Sequence, residues 1–198
     1  MIANFETPFL KFKDWFEKAK SNSSIVEPTA MCLSTVDENN FPSSRMVLLK
    51  KYDERGFCFF TNLTSRKGKE LTQNQNVALC FYWGILGMQI RIEGSVEKVS
   101  SKEADDYFSS RRRESQIGAW ASKQSSEMQE WQEFEDRITK ITKDFEGQDV
   151  PRPPFWSGFR VIPKRIEFWL EGDFRIHHRE IFIKMENKEE WQVQKLYP

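Results

Sequence analysis

Tyr107, Arg111 and Ser115 recur at intervals of four within YFSSRRRESQIGAWASKQSS, residues 107–126. If the stretch is helical, a phenol, a guanidinium and a hydroxyl fall on one face. Such a donor-rich patch suits a phosphate. A solvated basic face built around Arg111, Arg112 and Arg113 would show the same spacing.

A second cationic group lies at Ser65-Arg66-Lys67. Ser65 suits the N-cap of a short helix over Arg66 to Asn74. That places Arg66 and Lys67 in the first turn, where the helix dipole disfavours cations. An anion bound at the helix start resolves the conflict. Arg45 and Lys50 flank the apolar run Met46-Val47-Leu48-Leu49. In a regular strand they point to opposite faces, either as solvated strand ends or toward two different anionic groups. Gln89 is an outward polar residue or an amide that reaches a ligand. His177 and His178 are the only histidines, and a regular strand would put Arg175 and His177 on one face. No P-loop, GxGxxG, HExxH, GxSxG or zinc spacing occurs, so no metal site is expected.

The elements that must position these residues follow from periodicity. Phe9, Phe12 and Phe16 mark an amphipathic helix from Thr7-Pro8 to about Lys20. Strands are predicted at Ala30–Val36, Ser44–Tyr52, Phe57–Thr61, Val77–Trp83 and Met88–Lys98, with a hairpin at Asp53-Glu54-Arg55-Gly56. Ser100-x-x-Glu103 and Ser126-x-x-Gln129 are capping-box patterns, each predicting a helix start. The second would open a helix whose stripe of Trp131, Phe134, Ile138, Ile141 and Phe145 serves core or dimer packing. Beyond Pro151-Arg152-Pro153-Pro154, strands are predicted at Gly158–Pro163, Arg165–Leu170, Arg175–Met185 and Glu190–Leu196. Two clusters of strands with helices between them suggest a closed antiparallel barrel with helical additions, α+β in class.

Composition narrows the function. The chain has 198 residues, with 30 Lys+Arg balanced by 30 Asp+Glu, which gives no support to bulk nucleic-acid or membrane-surface binding. This length fits one domain spanning 1–198. The three cysteines show no metal or CxxC spacing and suit a reducing compartment. The start MIANFETPF lacks the features of a signal peptide, and the apolar run from Val77 to Met88 is too short for a membrane span. A cytoplasmic protein is expected.

Taken together, RMVLLK (45–50), FFTNLTSRK (59–67), the 107–126 stretch, FWSGFRV (155–161), IEFW (166–169), RIHHR (175–179) and the terminal KLYP resemble the pyridoxamine 5′-phosphate oxidase family. The resemblance implies an FMN-binding split β-barrel, mainly antiparallel, built as a homodimer with the flavin at the subunit interface. It implies oxidation of pyridoxamine 5′-phosphate or pyridoxine 5′-phosphate to pyridoxal 5′-phosphate, with O2 as acceptor and hydrogen peroxide as product. Arg45, Arg66, Lys67 and Ser125 would hold the FMN phosphate or its approaches. Met46, Val47, Leu48, Phe60 and Thr61 would line the flavin. Gln89, Gln124, Trp169 and Arg179 would complete the cofactor pocket, partly from the second subunit. Lys50, Tyr107, Arg111 and Ser115 would bind the substrate phosphate, and Arg175 and His177 would contact the pyridine ring and assist catalysis. The chain departs from the family pattern at Leu170, where Gln is expected, and at His178, where Asp is expected. These departures motivate an alternative, a non-catalytic split barrel that carries flavin or pyridoxal phosphate.

Overall fold

The computed structural model describes residues 2–4, 7–186 and 190–198. In chain order its elements are β1 (Ile2–Asn4), α1 (Thr7–Ser21), β2 (Ala30–Val36), β3 (Pro42–Leu48), β4 (Lys51–Asp53), β5 (Gly56–Asn62), α2 (Arg66–Gln73), β6 (Asn76–Trp83), β7 (Met88–Lys98), α3 (Ser101–Ser109), α4 (Arg113–Ala121), α5 (Trp131–Asp144), β8 (Trp156–Leu170), β9 (His178–Lys184) and β10 (Glu190–Leu196). The strands form one antiparallel sheet in the order β1-β10-β9-β8-β7-β6-β2-β3, with β5 pairing β4 and β8.

Strand β8 organises the sheet. One of its edges pairs with β7 along nearly its whole length. Its other edge pairs with β5 over 156–161 and with β9 over 165–170. The change of partner falls beside Pro163, which has no N–H to donate, and beside a register shift at Glu93/Gly94. A Cβ on Gly94 would lie 2.1 Å from the Ile162 carbonyl oxygen, so the close approach of β7 and β8 there requires glycine. The two strands predicted at 158–163 and 165–170 are therefore one bulged strand. The sheet curls into a half-barrel, and β9 and β10 extend it beyond β8. β4, which follows β3 after a short break, pairs with β5 on the far side of the sheet, and the fold is the antiparallel split barrel that the resemblance implied.

Helix α1 plugs the curl because its apolar residues fall at helical spacing. Phe12 is fully buried, with ring centroids 4.8 Å from Phe57 and 5.4 Å from Phe81. Truncating such a ring to alanine costs about 3–5 kcal/mol. Phe9, Trp15, Phe16 and Ala19 are buried on the same face.

Three local expectations are corrected. The strand predicted over Ser44–Tyr52 breaks at Leu49-Lys50, where the Lys50 N–H turns to the Cys58 carbonyl at 2.9 Å. The Ser100/Glu103 capping box forms, but α3 ends at Ser109 and α4 begins at Arg113. Tyr107, Arg111 and Ser115 thus lie on α3, the connecting turn and α4, not on one helix. The second capping box does not form. Ser126 is held in a turn by its N–H bond to the Lys123 carbonyl (2.9 Å), and α5 starts later, after Glu130, with no side-chain cap. Of the α5 stripe, Ile138, Ile141 and Phe145 pack on Phe108, Ile117, Val150 and Trp156, while Trp131 stays exposed.

Candidate active site

The turn between α3 and α4, the end of β3, the end of β5 and the start of α2 surround one cavity of about 510 Å³. Met46, Val47, Leu48 and Lys50 line it from β3 and the break after it, and Phe60, Thr61 and Asn62 from β5. Lys67 enters from α2, Trp156 from β8, and Tyr107, Arg111, Arg112, Ser115, Ala119, Ser122 and Gln124 from the helical stretch. The strand break matters here, because it turns Lys50 toward the same cavity as Met46–Leu48.

The wall is a stack of flat rings. Phe60 lies 4.1 Å from Tyr107 and 5.4 Å from Trp156, with interplanar angles of 25° and 12°. Gly158 sits behind this stack, where a Cβ would come within 2.7 Å of the Phe60 ring. The Arg111 guanidinium carbon is 4.9 Å from the Trp156 ring centroid and 5.5 Å from that of Phe108. Its Nη1 is buried and has no hydrogen-bond partner among the described residues. Burial pushes the Arg111 pKa down, and the neighbouring Tyr107 oxygen only partly offsets that. Burial also raises the Tyr107 pKa, so its hydroxyl stays a donor. A buried donor without an acceptor is costly, and an anionic oxygen would satisfy it.

Lys67 forms the second cationic pole. Ser65 caps α2, accepting from the Gly68 N–H at 3.3 Å, and this sets Lys67 in the first turn. The Lys67 Nζ donates to Thr61 Oγ1 and Gln124 Oε1, both at 3.3 Å. Burial first, and then the charge of Arg45, holds its pKa below the usual lysine range. Arg66 is on the same turn, with its Nε 2.8 Å from Glu70 Oε1. Arg45 does not line the cavity. Its guanidinium is used on the Leu33 carbonyl, Thr35, Ser43 and Glu70, with the Glu70 contact at 3.0 Å. Ser125 adopts a left-handed φ of 68° and lines a groove adjoining the cavity.

The remaining expected residues form a separate cluster. Gln89, Trp169 and Arg179 are register partners across β7, β8 and β9. The Arg179 Nε donates to Glu167 Oε1 at 2.7 Å. The His177 ring lies 4.6 Å from Trp169, and its Nδ1 accepts from the Gly172 N–H at 3.3 Å. The expectation that Arg175 and His177 share a strand face is corrected. Arg175 ends a short 3₁₀ turn with φ 66°, and β9 begins only at His178. None of Gln89, Trp169, Arg175, His177 or Arg179 lines the 510 Å³ cavity of its own chain. Leu170 and His178, the two departures from the family pattern, are direct register partners.

Sequence reasoning missed Asn62, Arg112 and Trp156 in the cavity wall, and Glu70 behind it. Glu70 was legible as the residue four positions after Arg66 on a helix. Trp156 carried no local signal apart from its place in FWSGFRV. Among the described residues no cluster of His, Cys, Asp and Glu could hold a metal, and no helix is long and apolar enough to cross a membrane.

Known proteins share this chain's sequence and fold. Residues 18–143 match the family described as pyridoxamine 5′-phosphate oxidase, and residues 156–198 match the pyridoxine 5′-phosphate oxidase C-terminal dimerisation region. The pyridoxine/pyridoxamine 5′-phosphate oxidase of Myxococcus xanthus (strain DK1622) is 48% identical over 191 residues, covering 96% of this chain and 91% of that protein. The protein of the same name from Wolbachia pipientis wMel is 50% identical over 199 residues, covering 100% of this chain and 91% of that one. The crystal structure of PhzG from Burkholderia lata 383, in complex with tetrahydrophenazine-1-carboxylic acid, superposes with a TM-score of 0.90 at 30% identity, covering 96% of this chain and 92% of that one. A pyridoxamine 5′-phosphate oxidase-related, FMN binding protein from Nostoc punctiforme PCC 73102 shares the fold, with a TM-score of 0.76 at 16% identity, covering 94% of this chain and 97% of that one. With both segments matched and relatives aligned along nearly the whole length, the chain belongs to the pyridoxamine 5′-phosphate oxidase family.

Proposed function

We propose that this protein oxidises pyridoxamine 5′-phosphate or pyridoxine 5′-phosphate to pyridoxal 5′-phosphate, with FMN as cofactor and O2 as acceptor. The observation that carries this reading is one cavity with two cationic poles, Lys67 and Arg111, and a wall of stacked rings. The donor set fits a flavin phosphate at the Lys67 end. Lys67 is buried against neutral oxygens, and Arg66 stands beside it at a helix start that has no acidic residue in its first turn. The Arg111 Nη1, without a partner among the described residues, fits a second phosphate, that of the substrate.

Bound FMN would supply a two-electron acceptor, taking a hydride equivalent from the substrate C4′ and passing the electrons to O2 as hydrogen peroxide. The chain's own residues supply binding and orientation. Lys50, Tyr107, Arg111 and Ser115 anchor the substrate phosphate. Met46–Leu48, Phe60 and Thr61 line the ring system, and Lys67, Arg66, Gln124 and Ser125 hold the flavin phosphate and its approaches. Anchoring each ligand at its phosphate would restrict the orientations in which the substrate meets the flavin ring. Gln89, Trp169, Arg175, His177 and Arg179 complete the site from the partner subunit of a homodimer. In that role Arg175 covers the outer face of the pyridine ring, and His177 orients the ring or exchanges a proton with it. The match of residues 156–198 to a dimerisation region supports this arrangement. Free thiols at Cys32, Cys58 and Cys80 support a reducing, cytoplasmic setting.

The test is direct. Protein loaded with FMN and given pyridoxamine 5′-phosphate in air should form pyridoxal 5′-phosphate and hydrogen peroxide in equal amounts. A fully flavinated sample that binds the substrate without turnover would falsify the proposal and favour a carrier.

A further inference from the structure

We propose that Glu70 is a positioning residue for the flavin phosphate, its carboxylate fixing the Arg45 and Arg66 guanidinium groups at the start of α2 so that the outer nitrogens of Arg66 meet the anion. The inference rests on the FMN reading above and deepens it.

Glu70 is a carboxylate that is only 3% exposed, one helical turn beyond Arg66. Both of its oxygens are filled. Oε1 accepts from Arg66 Nε at 2.8 Å and from Ser43 Oγ at 3.0 Å. Oε2 accepts from Thr35 Oγ1 at 2.5 Å, from Ser43 Oγ at 3.0 Å and from Arg45 Nη2 at 3.0 Å. Burial alone would raise its pKa, but the hydrogen bonds from Thr35, Ser43 and Arg66 and the charge of Arg45 outweigh burial and keep it anionic.

The same contacts would also serve a knot that merely ties α2 to β2 and β3. Two features point further. Arg66 uses only its Nε on Glu70 among the described residues, so both terminal nitrogens keep their donors, and its side chain is 61% exposed. Arg66 and Lys67 also occupy a first turn with no acidic residue, an arrangement the helix dipole opposes until an anion binds. A guanidinium braced through Nε loses less freedom on meeting a phosphate, which is how preorganisation strengthens binding.

The effect should therefore be confined to a phosphorylated flavin. The experiment titrates apoprotein with FMN and, separately, with riboflavin, following flavin fluorescence. Glu70→Gln should raise the FMN dissociation constant about tenfold, the scale of one charge-assisted hydrogen bond, and move that of riboflavin less than about twofold. Unchanged or tighter FMN binding, or equal weakening of both flavins, overturns the proposal. If Glu70→Gln does not fold, Ser43→Ala gives the reading. It loosens the carboxylate without removing its charge and should weaken FMN selectively by about threefold. FMN binding by Ser43→Ala that matches the wild type, or that falls in step with riboflavin, counts against the idea. Wild-type protein that binds neither flavin defeats the functional reading itself, whereas FMN-binding wild type with an indifferent variant defeats only the role of Glu70.

Discussion

Lys67 Nζ donates to Gln124 Oε1 at 3.3 Å, so a buried ammonium at one end of the cavity is held by neutral oxygens and forms no ion pair among the described residues. Burial and the nearby Arg45 disfavour its charge, and its pKa is lowered accordingly. Between that lowered value and the usual lysine range the unfolded chain carries more protons than the folded one. Apoprotein stability attributable to Lys67 therefore rises with pH across that window, and below it the buried charge is a standing cost. Lys67→Met should raise the apoprotein Tm by about 2–4 °C, corresponding to ~1 kcal/mol in a chain of this size. The same change should weaken FMN by about tenfold or more, since a charge-assisted phosphate contact is lost. Calorimetry and fluorescence titration check the two halves. A lower Tm with intact FMN affinity would mean that Lys67 is a structural residue.

This conflict between stability and charge was partly legible in the sequence. Cations in the first turn after Ser65 raise the expectation of an anion, and the Ser65 N-cap forms as predicted. The α1 stripe follows from helical spacing, and β2 and β7 follow from alternation, because each strand buries one face and a one-residue slip would expose it. What could not be read was tertiary. The break at Leu49-Lys50 depends on the Lys50 N–H finding the Cys58 carbonyl, which no local pattern encodes. The continuity of β8 through Pro163 depends on a bulge that only the partner strand reveals. The sequence leaves Arg45 open as a solvated strand end or an anion ligand, and its contacts within the chain have no local signal. Glu70, Thr35 and Ser43 reach it only after β2, β3 and α2 assemble.

A second ionic centre concerns stability alone. Arg160 on β8 is 1% exposed, with Nη1 2.7 Å from Asp53 and Nη2 2.9 Å from Glu103. It ties the β4 hairpin and the start of α3 to the long strand. Burial raises the Asp53 pKa, but the hydrogen bond from Arg55 and the charge of Arg160 outweigh it, and the net direction is down. Glu103 is lowered chiefly by the Ser100 N–H, with help from Arg160. Carboxylates depressed in the folded state contribute stability above the unfolded carboxylate pKa near ~4, and that contribution is lost as pH falls through the folded values. Urea melts should therefore weaken steeply below about pH 4. Arg160→Met should cost about 3 kcal/mol at pH 7 and show a shallower loss on acidification. A variant with wild-type stability at pH 7, or with the same acid slope, would show that the centre contributes little.

The last prediction concerns how the two clusters combine. Arg111 lines the cavity and Arg175 lies on the turn before β9, outside the cavity of its own chain. Arg111→Ala should raise the substrate KM by about 10- to 150-fold, as one phosphate contact worth roughly 1.5–3 kcal/mol disappears. Arg175→Ala should lower kcat instead, because in the proposed function Arg175 would meet the pyridine ring and not the phosphate. If each site draws Arg111 from one subunit and Arg175 from the other, a heterodimer of the two variants holds one site with both changes and one site with neither. Unfolding and refolding an equal mixture should yield heterodimers as about half of all dimers, restoring about a quarter of wild-type activity at low substrate concentration. If both residues served one site from the same chain, every site in the mixture would carry a lesion and no activity would return. The refolded mixture therefore decides whether the cavity is completed across the subunit interface, independently of which vitamin B6 phosphate is the better substrate.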